Sequence, residues 1–225
     1  MPPAQLIVRV AGTADAEWFL SSGRRAAESI REALARQDAA LEDLDALLDF
    51  GCGCGRVIRN WIGLAEVERF GTDLNPAAVR WCRGNLPFAT FEENGLAPPL
   101  PFENGRFDLV YALSVFTHLP EELQLAWMTE LRRVLRPGGW LLLSTHGEPY
   151  LERLDDEERE HFRAGRLVVR WEQVAGTNLC SAFHPESYVR TRLADGFEVV
   201  EFAPEGAAGN PHQDLTVLRY GSVRT

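Results

Sequence analysis

Three glycines alternate with two cysteines in residues 49–55, which read Asp-Phe-Gly-Cys-Gly-Cys-Gly. Glycine tolerates positive φ and lets a ligand approach the main chain without meeting a Cβ atom. A helix that starts directly afterwards would offer unpaired N–H groups and the positive end of its dipole to an anionic group. A tight strand-to-helix turn explains one glycine but not three alternating ones, so this stretch predicts a ligand-binding turn.

An acidic residue, Asp73, follows about 20 residues later, where a carboxylate at a strand end can accept hydrogen bonds from ribose hydroxyls. Its alternative role is to cap the next helix, which Asn75 is able to do instead. Arg56 stands where the nicotinamide fingerprint has its third glycine, and no Gly-Lys-Ser or Gly-Lys-Thr follows. The turn therefore favours a ligand without a pyrophosphate, but a NAD-type oxidoreductase and a non-catalytic nucleoside-binding protein stay open.

Histidines near strand ends are the candidate general bases, because the pKa of histidine lies close to neutrality. His118 follows the fourth predicted strand and His146 follows the fifth, both on the expected ligand side. Packing at a helix start is the alternative for His118. His212 precedes the last strand and is a candidate for the acceptor pocket, whereas His184 is expected to start a helix.

The elements that must position these residues alternate along the chain. Apolar runs bounded by glycine and proline predict strands, and periodic segments between them predict helices. Such alternation predicts an α/β sheet of parallel strands with helices on both faces, which binds ligands beyond the carboxyl ends of its strands. The predicted strands are 46–50, 67–72, 88–92, 107–113, 140–144, 197–202 and 215–220, and the predicted helices are 15–37, 56–62, 76–84, 121–135, 151–162 and 185–194.

The 225 residues fit one domain. We divide it into an amino-terminal helical cap (1–45), a cofactor-binding core (46–146) and a variable acceptor-side region with the last strands (147–225). Trp18, Phe19 and Arg24 of the cap are weaker candidates for the acceptor pocket, because packing and solvent exposure explain them as well.

The formal net charge of −10 argues against nucleic acid or an anionic membrane as a partner. No apolar run reaches the roughly 20 residues of a membrane span, and no signal-peptide core is present, so a cytoplasmic location is expected. Cys52 and Cys54 lack the second close pair that a structural zinc site needs, so no metal is expected.

Five motifs between about residues 47 and 145 resemble, in family order, those of the class I S-adenosylmethionine-dependent methyltransferases, most of all the bacterial methyltransferase-domain group. The glycine turn resembles the first motif of the family. Asp73 together with Leu74 resembles the second motif. The remaining three are 93–96 with 100–102, 107–110 running on to 114–119, and 135–140. Where the family more often has Asp, this chain has Asn94.

The resemblance implies a Rossmann-like doubly wound sheet of seven strands, mostly parallel with an antiparallel last strand. It implies S-adenosylmethionine as cofactor and methyl transfer to a small or medium-sized polar acceptor. O-methylation is favoured, with a saccharide or secondary metabolite as candidate acceptors and a homodimer left open. The expected catalytic residues are His146 and His118, and the expected cofactor-binding residues are Asp49, Gly51, Cys52, Gly53, Gly55, Asp73, Leu74, Asn94, Gly95, Leu96 and Ser114.

Overall fold

A computed structural model describes residues 1–210 and 212–221 of the chain. Its strands are β1 (Ala46–Phe50), β2 (Glu68–Asp73), β3 (Thr90–Glu93), β4 (Phe107–Ala112), β5 (Leu135–His146), β6 (Val168–Arg170), β7 (Ser181–Phe183), β8 (Glu198–Ala203) and β9 (Gln213–Arg219). Its α-helices are α1 (Ala4–Ala11), α2 (Ala16–Ala35), α3 (Pro76–Asn85), α4 (Glu121–Val134), α5 (Asp156–Arg163) and α6 (Glu186–Tyr188).

The strands form one mixed sheet in which β3, β2, β1, β4 and β5 are parallel neighbours in that order. β9 then pairs antiparallel with β5, and β8 pairs antiparallel with β9. All seven predicted strands are present, and the predicted antiparallel last strand is confirmed. The observed fold is therefore the expected Rossmann-like doubly wound sheet.

Two further strands, β6 and β7, were not predicted. They form an antiparallel hairpin, which joins β5 through the single pair His146 and Phe183. Each strand is three residues long, so its alternation is too short to read from sequence. The hairpin extends the sheet beyond the carboxyl end of β5.

Both faces of the sheet are covered, because successive residues of the central strands point into different cores. Leu47 of β1 packs with Ile30 and Leu34 of α2 on one face. Its neighbour Leu48 packs with Trp127 of α4 on the other face. Every residue of β1 and β4 is buried, as expected for strands in a sheet that is covered on both faces.

Three predicted helices differ in form from the observed ones. The segment after the glycine turn forms only a short 3₁₀-helix, Ile58–Trp61. Residues 151–162 are split, because Asp155 and Glu158 form a capping box that starts a new helix, α5. The helix at 186–193 begins as α6 and continues into one π-helical turn, Val189–Leu193.

The helix α1 was not predicted either. It has only eight residues and is too short to be stable alone in water. Its buried residue Ile7 packs with Phe19, Cys54 and Ala78, so contacts with distant parts of the chain stabilise it. Within the described residues, no helix is long and apolar enough to cross a membrane.

Candidate functional site

A cavity of about 450 Å³ lies beyond the carboxyl ends of β1, β2 and β4. The parallel strands place their carboxyl ends at one edge, where ligands of such sheets bind. Of the residues predicted for the site, the cavity is lined by Asp49, Gly51, Cys52, Gly53, Asp73, Leu74, Ser114 and His118.

The glycine turn forms the floor of the cavity, and positive φ angles shape it. Gly51 has φ 78° and Gly53 has φ 52°. A Cβ atom on Gly51 would lie 2.3 Å from Val115 Cγ2, and one on Gly53 would lie 2.6 Å from Val10 Cγ2. Gly55 also has positive φ but packs against Leu86 instead of lining the cavity.

The main-chain N–H groups of the three glycines and of Cys52 in this turn bond inside the protein. Those of Gly51 and Cys52 both donate to the Thr72 carbonyl oxygen at 2.8 Å, and that of Gly55 donates to the Cys52 carbonyl oxygen at 2.9 Å. Because only a short 3₁₀-helix follows, the expected α-helical N-terminus for an anionic group is absent from this part of the described chain. That part of the expectation is wrong.

The Cys52 thiol is buried beneath the turn. A hydrogen bond with Cys82, together with burial, raises the pKa of Cys52 well above its ordinary value. The thiol therefore stays protonated and packs as a small apolar group. Among the described residues, no group of three or more His, Cys, Asp or Glu side chains is arranged to hold a metal ion.

Asp73 ties the glycine turn to the end of β2. Its Oδ2 accepts a hydrogen bond from Gly53 N at 2.7 Å, and its Oδ1 accepts one from Asn75 N at 2.8 Å. Burial raises the pKa of Asp73, and these two hydrogen bonds act in the opposite direction. The cap of α3 is Asn75, whose Oδ1 accepts from Ala77 N and Ala78 N. The capping role considered for Asp73 is thus filled by Asn75.

Asp49 is a buried carboxyl at the cavity floor. Burial raises its pKa to about 7, while the Tyr111 hydroxyl and the charge of Arg56 act in the opposite direction. Its Oδ2 atom is buried and has no hydrogen-bond partner within the described chain. An unpaired buried carboxylate oxygen is costly, so this atom is suited to a cationic or donor group of a ligand.

The predicted adenine-side residues Asn94, Gly95 and Leu96 do not line the cavity itself. Asn94 N donates to the Asp73 carbonyl oxygen at 3.2 Å, which places the segment beside β2. The Leu96 and Leu74 side chains flank Gly176, because a Cβ on Gly176 would lie 2.8 Å and 3.0 Å from them. These two leucines are partly exposed and form an apolar edge next to the cavity.

His118 also lines the cavity. Its Nδ1 is 2.8 Å from the Cys180 carbonyl oxygen, so Nδ1 donates its proton and the lone pair remains on Nε2. Burial lowers the pKa of His118 below its ordinary value, which keeps the ring neutral. His118 therefore lines the cavity in the protonation state that a general base requires.

His146 does not line the cavity, although the sequence places it on the ligand side. The hairpin of β6 and β7 covers the end of β5, so the ring is buried and stacks on Tyr150 at 4.0 Å between centroids. Its Nδ1 donates to the Ala182 carbonyl oxygen at 3.2 Å. Burial lowers the pKa of His146 to about 3. The His146 ring lies behind that of His118, 6.4 Å away between centroids.

Gln213 connects three residues near the cavity. The sequence did not predict this role. Its Nε2 donates to Ser114 Oγ at 3.0 Å and lies 3.4 Å from His146 Nε2. Its Oε1 accepts from Ser144 Oγ at 2.7 Å. Ser144 Oγ in turn accepts from Ser114 N at 2.7 Å. The network holds Ser114 in a left-handed conformation, with φ 61°, which is uncommon for serine.

The roof of the cavity was also missed. It consists of Arg9 and Val10 from α1 and of residues 176–178. Asn178 Nδ2 donates to the Arg9 carbonyl oxygen at 2.9 Å and joins the two parts of the roof. Gly176 N donates to the His118 carbonyl oxygen at 2.8 Å, which links the roof to the wall that carries His118.

Other candidates lie elsewhere. His212 is exposed and pairs with Glu205 at 2.7 Å, and His184 is buried with its Nε2 3.2 Å from Gln124 Oε1. Trp18, Phe19 and Arg24 do not line the cavity.

Residues 47–139 match a family model described as a methyltransferase domain. A probable methyltransferase of Aspergillus luteorubrus, ltbC, is 28% identical over 176 residues, which are 71% of this chain and 61% of that protein. A chloroplastic tocopherol O-methyltransferase of Arabidopsis thaliana is 25% identical over 170 residues, covering 73% of this chain and 45% of that protein. The chain thus spans less than two thirds of the length of these curated relatives.

Solved structures share the fold. A structure described as a SAM-dependent methyltransferase from Methanosarcina mazei has a TM-score of 0.62 and 18% sequence identity, covering 83% of this chain and 97% of that chain. The glycine turn, Asp73 and the strand order therefore agree with one family. Residues 47–139 thus match a methyltransferase domain, and the sheet has the fold of solved SAM-dependent methyltransferases.

Proposed function

We propose that the chain transfers the methyl group of S-adenosylmethionine to a hydroxyl of a small or medium-sized polar acceptor. One observation carries the proposal: a single cavity is lined by the residues that fit the cofactor and by the neutral histidine His118. The methyl group would then meet the acceptor inside this cavity.

The residues on the cavity floor fit the cofactor. Asp73 is placed to accept hydrogen bonds from ribose hydroxyls, and Leu74 provides an apolar surface for the adenine. The unpartnered oxygen of Asp49 fits the ammonium of the methionyl group. The cofactor supplies an activated methyl group on a sulfonium, so the protein needs to bind, orient and exclude water.

His118 has the role of general base. Its Nε2 lone pair would accept the proton of the acceptor hydroxyl, whose oxygen would take the methyl group while the carbon–sulfur bond of the donor breaks and leaves a neutral thioether. The Cys180 carbonyl oxygen fixes the ring through Nδ1, so the lone pair keeps one orientation. His146, which is buried behind His118 and neutral, is assigned a positioning role instead of a catalytic one.

The class of acceptor follows from whether its nucleophilic atom needs a base. An alcohol or phenol benefits from a base, whereas an amine needs little help, so the presence of His118 favours O-methylation. The similarity to the tocopherol O-methyltransferase also supports oxygen as the atom that receives the methyl group. Thr177 and Asn178 of the roof add hydrogen-bonding groups for a polar acceptor, of which saccharides and secondary metabolites are examples.

Isothermal titration calorimetry with S-adenosylhomocysteine, with NAD as the control, tests the cofactor. Micromolar binding of S-adenosylhomocysteine alone is expected. Binding of NAD instead would overturn the proposal in favour of an oxidoreductase.

A panel of hydroxyl and amine acceptors with labelled donor then tests the reaction, and transfer to amines alone would contradict the O-methylation assignment. Cofactor binding without transfer to any acceptor would favour the non-catalytic alternative.

A further inference from the structure

Two arginines line the cavity within the described chain, and their environments differ. Arg56 is buried, and its guanidinium donates to Ser22 Oγ, to the Gly209 carbonyl oxygen and to Asn210 Oδ1. Arg9 lies in the roof and is exposed, and its guanidinium has no ion pair with any residue that the structure describes. Arg9 is thus a cation at the cavity without a counter-ion.

The position of Arg9 is set by two contacts of α1. The neighbouring residue Val10 packs over the glycine turn, with its Cγ2 2.6 Å from the place of a Cβ on Gly53. On the other side, the Arg9 carbonyl oxygen accepts the hydrogen bond from Asn178 Nδ2 at 2.9 Å. The main chain at Arg9 is therefore fixed between the turn and the other half of the roof.

Four main-chain N–H groups of the glycine turn are already used inside the protein. Those of Gly51, Cys52 and Gly55 donate to main-chain carbonyl oxygens, and that of Gly53 donates to Asp73. The carboxyl groups of Asp49 and Asp73 at the floor repel an anion further. A side-chain cation would therefore stabilise a ligand carboxylate beside this turn.

The methionyl group of the cofactor carries both an ammonium and a carboxylate. The unpartnered Oδ2 of Asp49 matches the ammonium. Given the proposed function, on which this step rests, we infer that Arg9 is the counter-ion of the α-carboxylate of that methionyl group. The helix α1 is then part of the donor site.

Calorimetry with two ligands tests this assignment. S-adenosylhomocysteine carries the α-carboxylate, whereas 5′-methylthioadenosine has the same adenosine and sulfur but lacks the amino acid end. In Arg9→Gln, the affinity for S-adenosylhomocysteine should fall about 10- to 100-fold, the range for a lost charge-assisted hydrogen bond, while that for 5′-methylthioadenosine stays unchanged. Arg9→Lys should restore part of the loss, because it keeps the charge but not the planar fork.

The matched control is Arg24→Gln, since Arg24 is an exposed arginine that does not line the cavity. It should leave both affinities unchanged. Equal losses for both ligands in Arg9→Gln would overturn the inference in favour of a packing role for α1. Unchanged affinity for S-adenosylhomocysteine, with a raised KM for the acceptor, would overturn it in favour of an acceptor contact. If the unmodified chain bound no S-adenosylhomocysteine, the proposed function itself would fail together with this inference.

Discussion

The carboxylate of Asp73 accepts a hydrogen bond from the main-chain nitrogen of Gly53 at 2.7 Å, across 20 residues of sequence. The bond joins the end of β2 to the glycine turn after β1. Because both residues line the cavity, the carboxylate that supports the turn is also placed to meet a ribose. Under the proposed function, the structure of the turn and the recognition of the nucleoside would both depend on this one side chain.

Replacing this carboxylate should harm binding more than folding. In Asp73→Ala, the affinity for S-adenosylhomocysteine should fall on the order of 100-fold, because the ribose loses charge-assisted hydrogen bonds. The free energy of unfolding should fall by only about 1 kcal/mol, because water in the cavity can solvate the freed N–H groups. Calorimetry and urea denaturation measure the two losses.

Asp15→Ala is the control for Asp73→Ala. Asp15 caps α2 through Glu17 N and Trp18 N and does not line the cavity. Its loss should cost about 1 kcal/mol of stability with no change in affinity. If Asp73→Ala lost no more affinity than this control, Asp73 would have a purely structural role.

A side chain at Gly53 should abolish cofactor binding. In Gly53→Val the Cβ would lie 2.6 Å from Val10 Cγ2, and valine tolerates the φ of 52° poorly. The roof helix α1 would be pushed from the turn, at a cost of about 1–3 kcal/mol for the strained backbone, while the sheet stays folded. Calorimetry with S-adenosylhomocysteine and circular dichroism would show the two effects.

Gly63→Val is the matched control for Gly53→Val, because a Cβ there meets no atom within 4 Å and φ is not positive. Its stability should stay within about 0.5 kcal/mol of the unmodified chain. Unchanged affinity in Gly53→Val would show that the cofactor binds elsewhere.

The affinity for S-adenosylhomocysteine should depend on the ionisation of Asp49. Its pKa is raised to about 7, so the carboxyl is neutral below that pH and cannot attract the ammonium. Affinity should therefore rise with pH up to about 7, by at most about tenfold per pH unit, and then level off. In Asp49→Asn the calorimetric affinity should vary less with pH. An identical pH profile in the variant would contradict the assignment.

The same ionisation should lower the stability of the ligand-free protein. The pKa of Asp49 in the fold lies above its unfolded value of about 3.9, so the folded state holds the proton more tightly. Stability is then lost as pH rises from about 4 through 7. Urea denaturation gives the free energy of unfolding at pH 5.5 and at pH 8. The difference between these two values should be smaller for Asp49→Asn than for the unmodified chain. An equal difference in the two proteins would be evidence against the raised pKa.

Removing His118, the proposed base, should slow methyl transfer without affecting cofactor binding. His118→Ala should lower kcat by about 10²- to 10⁴-fold, the range for general base catalysis, at unchanged affinity for S-adenosylhomocysteine. Because its pKa lies below the ordinary value, the rate of the unmodified chain should stay constant above about pH 6.5. This independence of pH would distinguish His118 from a base that titrates near neutrality.

His146→Ala is the comparison for His118→Ala. It removes a ring that stacks on Tyr150 but does not line the cavity, so it should lower stability and reduce kcat by only about tenfold. If the folded His146 variant lost as much activity as the His118 variant, His146 would be the base instead.

The sequence by itself determined the seven longer strands of the sheet, the glycine turn and the acid of the second strand. These features depend on short local patterns: a buried apolar run, alternating glycines that permit positive φ, and a carboxylate at the next strand end. The parallel arrangement then brings Asp49, Gly51 and Asp73 to one edge, so that part of the site follows from the order of elements alone.

Only the tertiary structure decided the rest of the site. Gln213 is 99 residues from Ser114 and meets it because β9 pairs antiparallel with β5. His146 is buried because a hairpin too short to predict covers its strand. The roof joins Arg9 to Asn178 across 169 residues. Such contacts arise when distant segments pack on a completed sheet, and no local periodicity in the sequence specifies them.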